Sequence, residues 1–248
     1  MLLNELRDYI GSLLEISRFR DYAPNGIQVE GKPQILRLAT GVTASQRLLD
    51  EAVAWGADAI LVHHGYFWRS EGDAIVGIKK RRLAHLLQHD VSLLAYHLPL
   101  DAHGVLGNNA QLGKRLGFVE QGRFGEQDIA CLGELAQPQM LAQLAAHIEG
   151  VLLRAPQVIG RNERTIRRIA WCSGAAQGLF DEAVTLDVDA FLTGEISEQS
   201  VHIAEETGVA FIAAGHHATE RYGVRALGEH LAGQFDVAHR FFDMDSPI

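Results

Sequence analysis

The sequence predicts an α/β fold made of two related halves. Three observations predict it. Short apolar runs such as Asp58-Ala59-Ile60-Leu61-Val62 end in polar residues and glycine, here His63-His64-Gly65. Stretches with apolar residues at helical spacing alternate with these runs. Part of the first half also recurs later in the chain. Strand alternating with helix argues for strand–helix–strand units around a parallel sheet.

In order, Leu3, Leu6, Ile10, Leu13 and Leu14 lie on one face of a helix running to about Ile16. Asp21-Tyr22-Ala23-Pro24-Asn25-Gly26 is dense in turn formers. Ile35 to Val42 reads as a strand. Thr43 or Ser45 can cap a helix that ends at Gly56. Asp58 to Val62 is the next strand, branched and apolar. A loop carrying Tyr66, Phe67 and Trp68 leads to a helix over Ile78 to His89. Val91 to Tyr96 is a further strand, followed by His97-Leu98-Pro99-Leu100-Asp101-Ala102-His103. Gly107-Asn108-Asn109 opens a helix to Leu116. Phe118 to Leu135 reads as strand-rich, Met140 to Glu149 as helical and Ile166 to Cys172 as a strand. The expected organisation is a first half over 1–117, a connecting insert over 118–160 and a second half over 161–248.

The repeat lays Ala39–His64 on Ala170–Glu195 without a gap, and 11 of the 26 positions match. Asp50-Glu51-Ala52-Val53 falls on Asp181-Glu182-Ala183-Val184, and Asp58-Ala59 on Asp189-Ala190. Val91–Ala95 resembles Val209–Ala213 at an offset shorter by 13, so the first half carries the longer loop. Equivalent strand ends therefore bear polar groups. Half one has His63 and His64, then His97 and Asp101. Half two has Glu195 in place of His64, then Gly215-His216-His217-Ala218-Thr219-Glu220. Ligands bind at strand carboxyl ends in open α/β sheets, and a cleft between two halves would gather these residues.

Composition narrows the classes. The chain has 248 residues, 47% hydrophobic and 21% charged, as in ordinary globular proteins. A net charge of -9 argues against a non-specific nucleic-acid binder, which rests on clustered Lys and Arg. Two cysteines, Cys131 and Cys172, make neither a disulfide framework nor a metal pair. Charged residues interrupt the first sixteen positions, and no apolar run has membrane length. A cytoplasmic protein without a membrane partner is expected. Gly-rich phosphate loops and nucleophile elbows are absent.

The histidines carry the chemistry. Imidazole with carboxylate suits Zn, Fe, Ni or Mn rather than Ca. Neighbouring side chains on a regular strand point to opposite faces. One ion would then rarely take both His63 and His64, whereas two ions, or a strand broken at its tip, could use both. His216 and Glu220 are four apart, on one face of a helix start. His63, His64, Asp101, His216 and Glu220 are too many for one four-coordinate ion with an open position. They suit two divalent ions, which in such sites stand roughly 3.5–4 Å apart. His217 is the alternative to His216. His97 and His103 are proton-transfer or supporting candidates, with His97 the catalytic choice. Glu195 is a general base or an orienting group. His85, His89, His147, His202, His230 and His239 are read as structural. Phe67 and Trp68 stack on a base or fill a subunit interface, with the interface favoured. Arg69, Lys79, Lys80, Arg81, Arg82 and Arg221 are the cations available to a triphosphate.

Asp21-Tyr22-Ala23-Pro24-Asn25-Gly26-Ile27-Gln28-Val29-Glu30-Gly31 resembles the opening motif of the Nif-three-like family, also called GTP cyclohydrolase I type 2 homologs. Thr40–Ser45, Val62–Trp68, His97–Asp101, Gly107–Asn109, Thr193–Glu195 and Gly215–Glu220 resemble its later motifs, in the same order. The resemblance is to the short bacterial members. It implies two related α/β halves and a two-metal centre with ligands His63, His64, Asp101, His216 and Glu220, choosing His216 over His217. It also implies a homohexameric ring and hydrolysis of GTP with formate release, acting on a small-molecule substrate. The other readings are a metal-dependent phosphoesterase and a metal-binding regulatory protein without turnover.

Overall fold

The computed structural model describes residues 1–248. In chain order the elements are α1 (Leu3–Leu13), β1 (Gly26–Val29), β2 (Arg37–Thr43), α2 (Gln46–Trp55), β3 (Ala59–His64), α3 (Gly77–Gln88), β4 (Ser92–Ala95) and α4 (Leu98–Ala102). They continue with α5 (Asn108–Leu116), β5 (Phe118–Phe124), β6 (Ala130–Met140), α6 (Leu141–Leu152), β7 (Gln157–Ile159) and β8 (Thr165–Trp171). The chain closes with α7 (Phe180–Val184), β9 (Ala190–Thr193), α8 (Glu198–Thr207), β10 (Ala210–Ala213), α9 (His216–Gln234) and β11 (Ala238–Phe241). No helix is long and apolar enough to cross a membrane.

The chain divides into two compact units, one of Met1–Gly107 with Gly223–Met244, the other of Asn108–Tyr222 with Asp245–Ile248. The first holds a five-stranded sheet in the order β1-β4-β3-β2-β11. Its four strands β4, β3, β2 and β11 run parallel, and β1 is antiparallel on β4. The second holds a six-stranded sheet in the order β5-β6-β8-β9-β10-β7. There β8, β9 and β10 are parallel, and antiparallel strands flank them. The fold is thus α/β with two sheets, as expected.

Both faces of each parallel core are covered, which is why its strands read as unbroken apolar runs. Along β3, Ile60 and Val62 pack into one cluster with Leu48, Leu49 and Leu86. Ala59 and Leu61 pack into another with Leu6, Ile10 and Tyr96. In the second unit Ile169, Trp171 and Leu192 face Leu144 and Ile148, whereas Phe191 and Phe211 face Phe180. Ser45 caps α2 by accepting the Leu48 amide, and Gly56 ends it in the left-handed conformation.

The repeat is visible in hydrogen bonds, residue for residue. The Asp58 carboxylate accepts the amides of Leu36 and Arg37, both at 3.0 Å. Asp189 accepts those of Arg167 and Arg168, at 2.9 and 3.0 Å. The Asp58 amide donates to Arg37 O and the Asp189 amide to Arg168 O. Ser92 donates to Asp58 O, and Ala210 to Asp189 O, at the shorter offset of the second match. The expected longer loop of the first half spans 65–76, whereas 194–197 suffices before α8.

Burial works against the Asp58 charge, but the amides and Lys32 outweigh it and hold its pKa below the usual value. Asp58→Ala is therefore expected to cost about 1–3 kcal/mol in denaturant unfolding at pH 7. Because the folded pKa is depressed, that contribution is present above about pH 4, the unfolded value, and fades as pH falls through the folded pKa. An equal loss at pH 3 and pH 7 would contradict this account.

Candidate metal centre

In the first unit, His63 is fully buried at the end of β3. The parallel ladder reaches the Tyr96 amide, which donates to Val62 O at 3.1 Å. The His63 ring makes the next link, its Nδ1 donating to Tyr96 O at 2.9 Å. That bond places the proton on Nδ1 and leaves Nε2 as the candidate ligand atom. His64 Nδ1 lies 3.2 Å from Thr43 Oγ1 on the neighbouring strand. His97, after β4, donates from Nδ1 to Asp21 Oδ1 at 2.7 Å.

The His63 and His64 ring centres are 4.5 Å apart, and His97 lies 5.1 and 5.6 Å from them. One ligand atom from each of the three falls within 4.8 Å of the others. The regular-strand expectation of opposed imidazoles therefore does not hold at this tip. His64 is the last strand residue, and the chain turns at Gly65, where an added Cβ would fall 2.1 Å from Gln28 Oε1. Gln28 instead accepts the Tyr66 amide and donates to Tyr66 O. Asp101 on α4 is also buried, and its Oδ1 lies 3.4 Å from His63 Nε2.

Asp21 was not among the sequence candidates, yet it organises this half. Its carboxylate accepts the Tyr22 and Leu98 amides and the Asn25 side-chain amide, besides His97. Asn25 Oδ1 accepts the His97 amide at 2.8 Å. Burial opposes the Asp21 charge, but His97, Asn25 and the Tyr22 amide outweigh it and hold the pKa at about 2. An acidic residue opening a turn four positions before Asn25 was the available signal, but local turn chemistry explains it equally well.

In the second unit, α9 begins at His216. His216 Nδ1 donates to Glu195 Oε1 at 2.6 Å, and Nε2 lies 3.1 Å from Glu220 Oε2. Glu195 is thus an orienting group. Burial disfavours a charged His216, but Glu220 and Glu195 outweigh it and raise the pKa to about 9. Glycines let the turn that bears His216 and Glu220 approach the strand ends. An added Cβ at Gly174 would fall 2.0 Å from Glu220 Oε1, and one at Gly194 2.6 Å from His216 Cα. Thr219 Oγ1 accepts the Gly174 amide and Thr193 Oγ1 donates to Gly174 O, pinning the turn.

The donor set fits a borderline divalent ion. Imidazole nitrogens have their outer atom held by a carbonyl, a hydroxyl or a carboxylate, and carboxylates stand near the inner atom. Other candidates have structural roles. His103 Nδ1 accepts the Val105 and Leu106 amides. His230 pairs with Tyr9, and His239 with Thr40. Lys79 is paired with Glu71, and Arg221 bonds Leu152 O. Trp68 lies against His97 and His64, 4.9 and 5.9 Å between ring centres.

A family model described as Duf34/NIF3 (NGG1p interacting factor 3) matches residues 1–247. A Neisseria meningitidis protein named GTP cyclohydrolase 1 type 2 homolog is 54% identical over 247 residues, covering 100% of this chain and 99% of that one. The solved structure of protein ybgI, described as of unknown function, superposes with a TM-score of 0.96 at 48% identity and full coverage of both chains. A Thermus thermophilus structure does so at 0.92 and 33% identity, again with full coverage of both. The chain belongs to the Duf34/NIF3 family.

Proposed function

We propose that the chain is a metal-dependent hydrolase with a two-ion centre, acting on a purine nucleotide or a related ring. His63, His64, Asp101, His216 and Glu220 would hold Zn, Fe, Mn or Ni. The observation that carries the reading is the anchoring of His63 and His216 through Nδ1, with Nε2 of each turned towards a buried carboxylate, Asp101 and Glu220. Metal-ligating histidines almost always donate their other ring N–H to a carbonyl or carboxylate in this way. The name carried by the Neisseria relative supports the purine-directed chemistry.

Divalent ions held by these residues would supply a nucleophile at neutral pH, since such ions lower the pKa of bound water from about 15.7 to about 7. The chain's own residues do the rest. Tyr96 O, Thr43 and Glu195 orient His63, His64 and His216. His97 holds a proton at Nδ1 against Asp21, so its Nε2 is the atom that passes a proton to or from substrate. Asp21, ionised down to about pH 2, keeps that orientation throughout the working range.

Elemental analysis after chelator-free purification is expected to find about two first-row divalent ions per chain. His63→Ala combined with His216→Ala is expected to lose them, and wild-type protein near zero would sink the two-ion centre.

Gly174 offers a subtler check. Its φ is +69°, and a methyl group there collides with Glu220. Gly174→Ala is expected to lower metal content at least tenfold while circular dichroism stays native. Unchanged loading would remove Glu220 from the ligand set.

A nucleotide hydrolysis screen with added metals, following formate and phosphate together, tests the chemistry. Formate is the expected product. Phosphate alone would identify a phosphoesterase, and metal-loaded protein without product would identify a binding protein.

A further inference from the structure

The loop after β3 is built at a cost that ligand anchoring does not explain. Phe67 sits at φ 64°, a left-handed conformation rare for a bulky residue. Such strain persists where surrounding contacts over-determine it, and it concentrates at functional sites. Here the contacts are many. Phe67 N donates to Glu71 Oε2 at 3.0 Å, Lys79 pairs with the same carboxylate at 3.2 Å, and Lys79 Nζ lies 4.7 Å from the Phe67 ring centre. On the other side the Arg69 amide donates to Tyr22 O at 2.8 Å, and Glu71 N donates to Trp68 O. The loop is thereby tied both to α3 and to the turn that begins at Asp21.

What the strained turn positions is Trp68. Its Nε1 donates to Gly65 O at 3.2 Å, so the one polar atom of the indole is committed. The indole is nearly perpendicular to the His97 ring, at 85° and 4.9 Å. In an edge-to-face pair one ring uses only an edge, or at most one face. Neither His97, at 85°, nor His64, tilted at 55° with its centre 5.9 Å away, lies flat on the indole, so the two do not cover both of its faces. Trp68 is half-buried, and Tyr22 is 59% exposed on a second contact with His97, at 63° and 6.3 Å. Two aromatic rings thus flank the imidazole that carries the proton-transfer role.

We infer that Trp68 is a binding residue whose indole face stacks a flat heteroaromatic ring beside His97, with Tyr22 as the second aromatic contact. The inference rests on the proposed function for the identity of the neighbouring chemistry. A planar nitrogen heterocycle fits, because stacking on an indole face rewards any delocalised ring and requires no donor from the indole edge. A sugar phosphate without a base has no such ring. The strained turn holds the indole in place before the ligand arrives, which reduces the ordering cost of binding.

The test uses the full chain, with and without added Zn or Mn. Adenosine, guanosine, uridine and riboflavin are titrated by calorimetry, with ribose as the control that lacks a delocalised ring. At least one heterocycle is expected to bind, and ribose is not. Trp68→Ala is expected to weaken that heterocycle about tenfold to a hundredfold, and Trp68→Phe at most about threefold. Bound ring should quench wild-type and Trp55→Phe fluorescence but leave Trp68→Phe unquenched. Metal content is measured on every sample. If Trp68→Ala loses metal along with ring affinity, the indole merely shields the imidazoles and the inference falls. If its molar mass by light scattering changes, the indole is a subunit contact and the inference falls. If metal-loaded wild type binds none of the rings, stacking fails while the metal centre stands. If wild type holds no metal, the metal centre fails, and the metal-free titrations still decide stacking.

Discussion

His63 remains fully buried because its Nδ1 bonds the Tyr96 carbonyl at 2.9 Å, one step beyond the last backbone link between β3 and β4. A parallel ladder leaves carbonyls without partners where its strands part. Here a side chain takes up one of them. The same bond that satisfies the backbone also chooses the imidazole tautomer, so the end of the sheet and the candidate ligand atom are specified together. His216 obeys the same rule in the second unit, with the Glu195 carboxylate in the role of the carbonyl.

Three strands in parallel, with helices covering both faces, are needed before such an end exists. The apolar alternation of Ala59, Ile60, Leu61 and Val62 between two clusters holds β3 in register. Asp58 then starts the strand by clamping the amides of Leu36 and Arg37, and Asp189 does the same for β9. A one-residue slip would turn His63 out of its bond with Tyr96. Core packing and candidate chemistry are thus joined through register. The loop after β3 adds polar ties to that packing, since Phe67 lies against the same apolar cluster while Glu71 and Lys79 hold its left-handed conformation.

Much of the fold was legible because its signals are local. Strand runs and the caps Ser45 and Gly56 lie within a few residues of what they specify, and the repeat lies in the order of residues. The grouping of His63 with His64 was legible as adjacency, but its geometry was not. A regular strand would have opposed the two rings, and only the turn at Gly65 under the Gln28 amide brings them to 4.5 Å. Asp21 escaped notice for a related reason. Its partners His97 and Leu98 lie more than seventy residues away, so its motif read as a turn. Glu195 was readable only as an ambiguous carboxylate until its 2.6 Å bond to His216 gave it an orienting role.

By itself the sequence determined the α/β class, the duplicated strand–helix–strand unit and the residue types at its strand ends, because hydrophobic period and turn chemistry act over short range. Only tertiary structure decided which nitrogen of each imidazole is held, that Asp21 and Glu195 do part of the holding, and that Trp68 lies against His97. Those outcomes depend on carbonyls, carboxylates and rings brought together from distant segments, to distances that no spacing along the chain encodes. The two histidines after Val62 were visible from the start; their orientation belongs to the strand beside them.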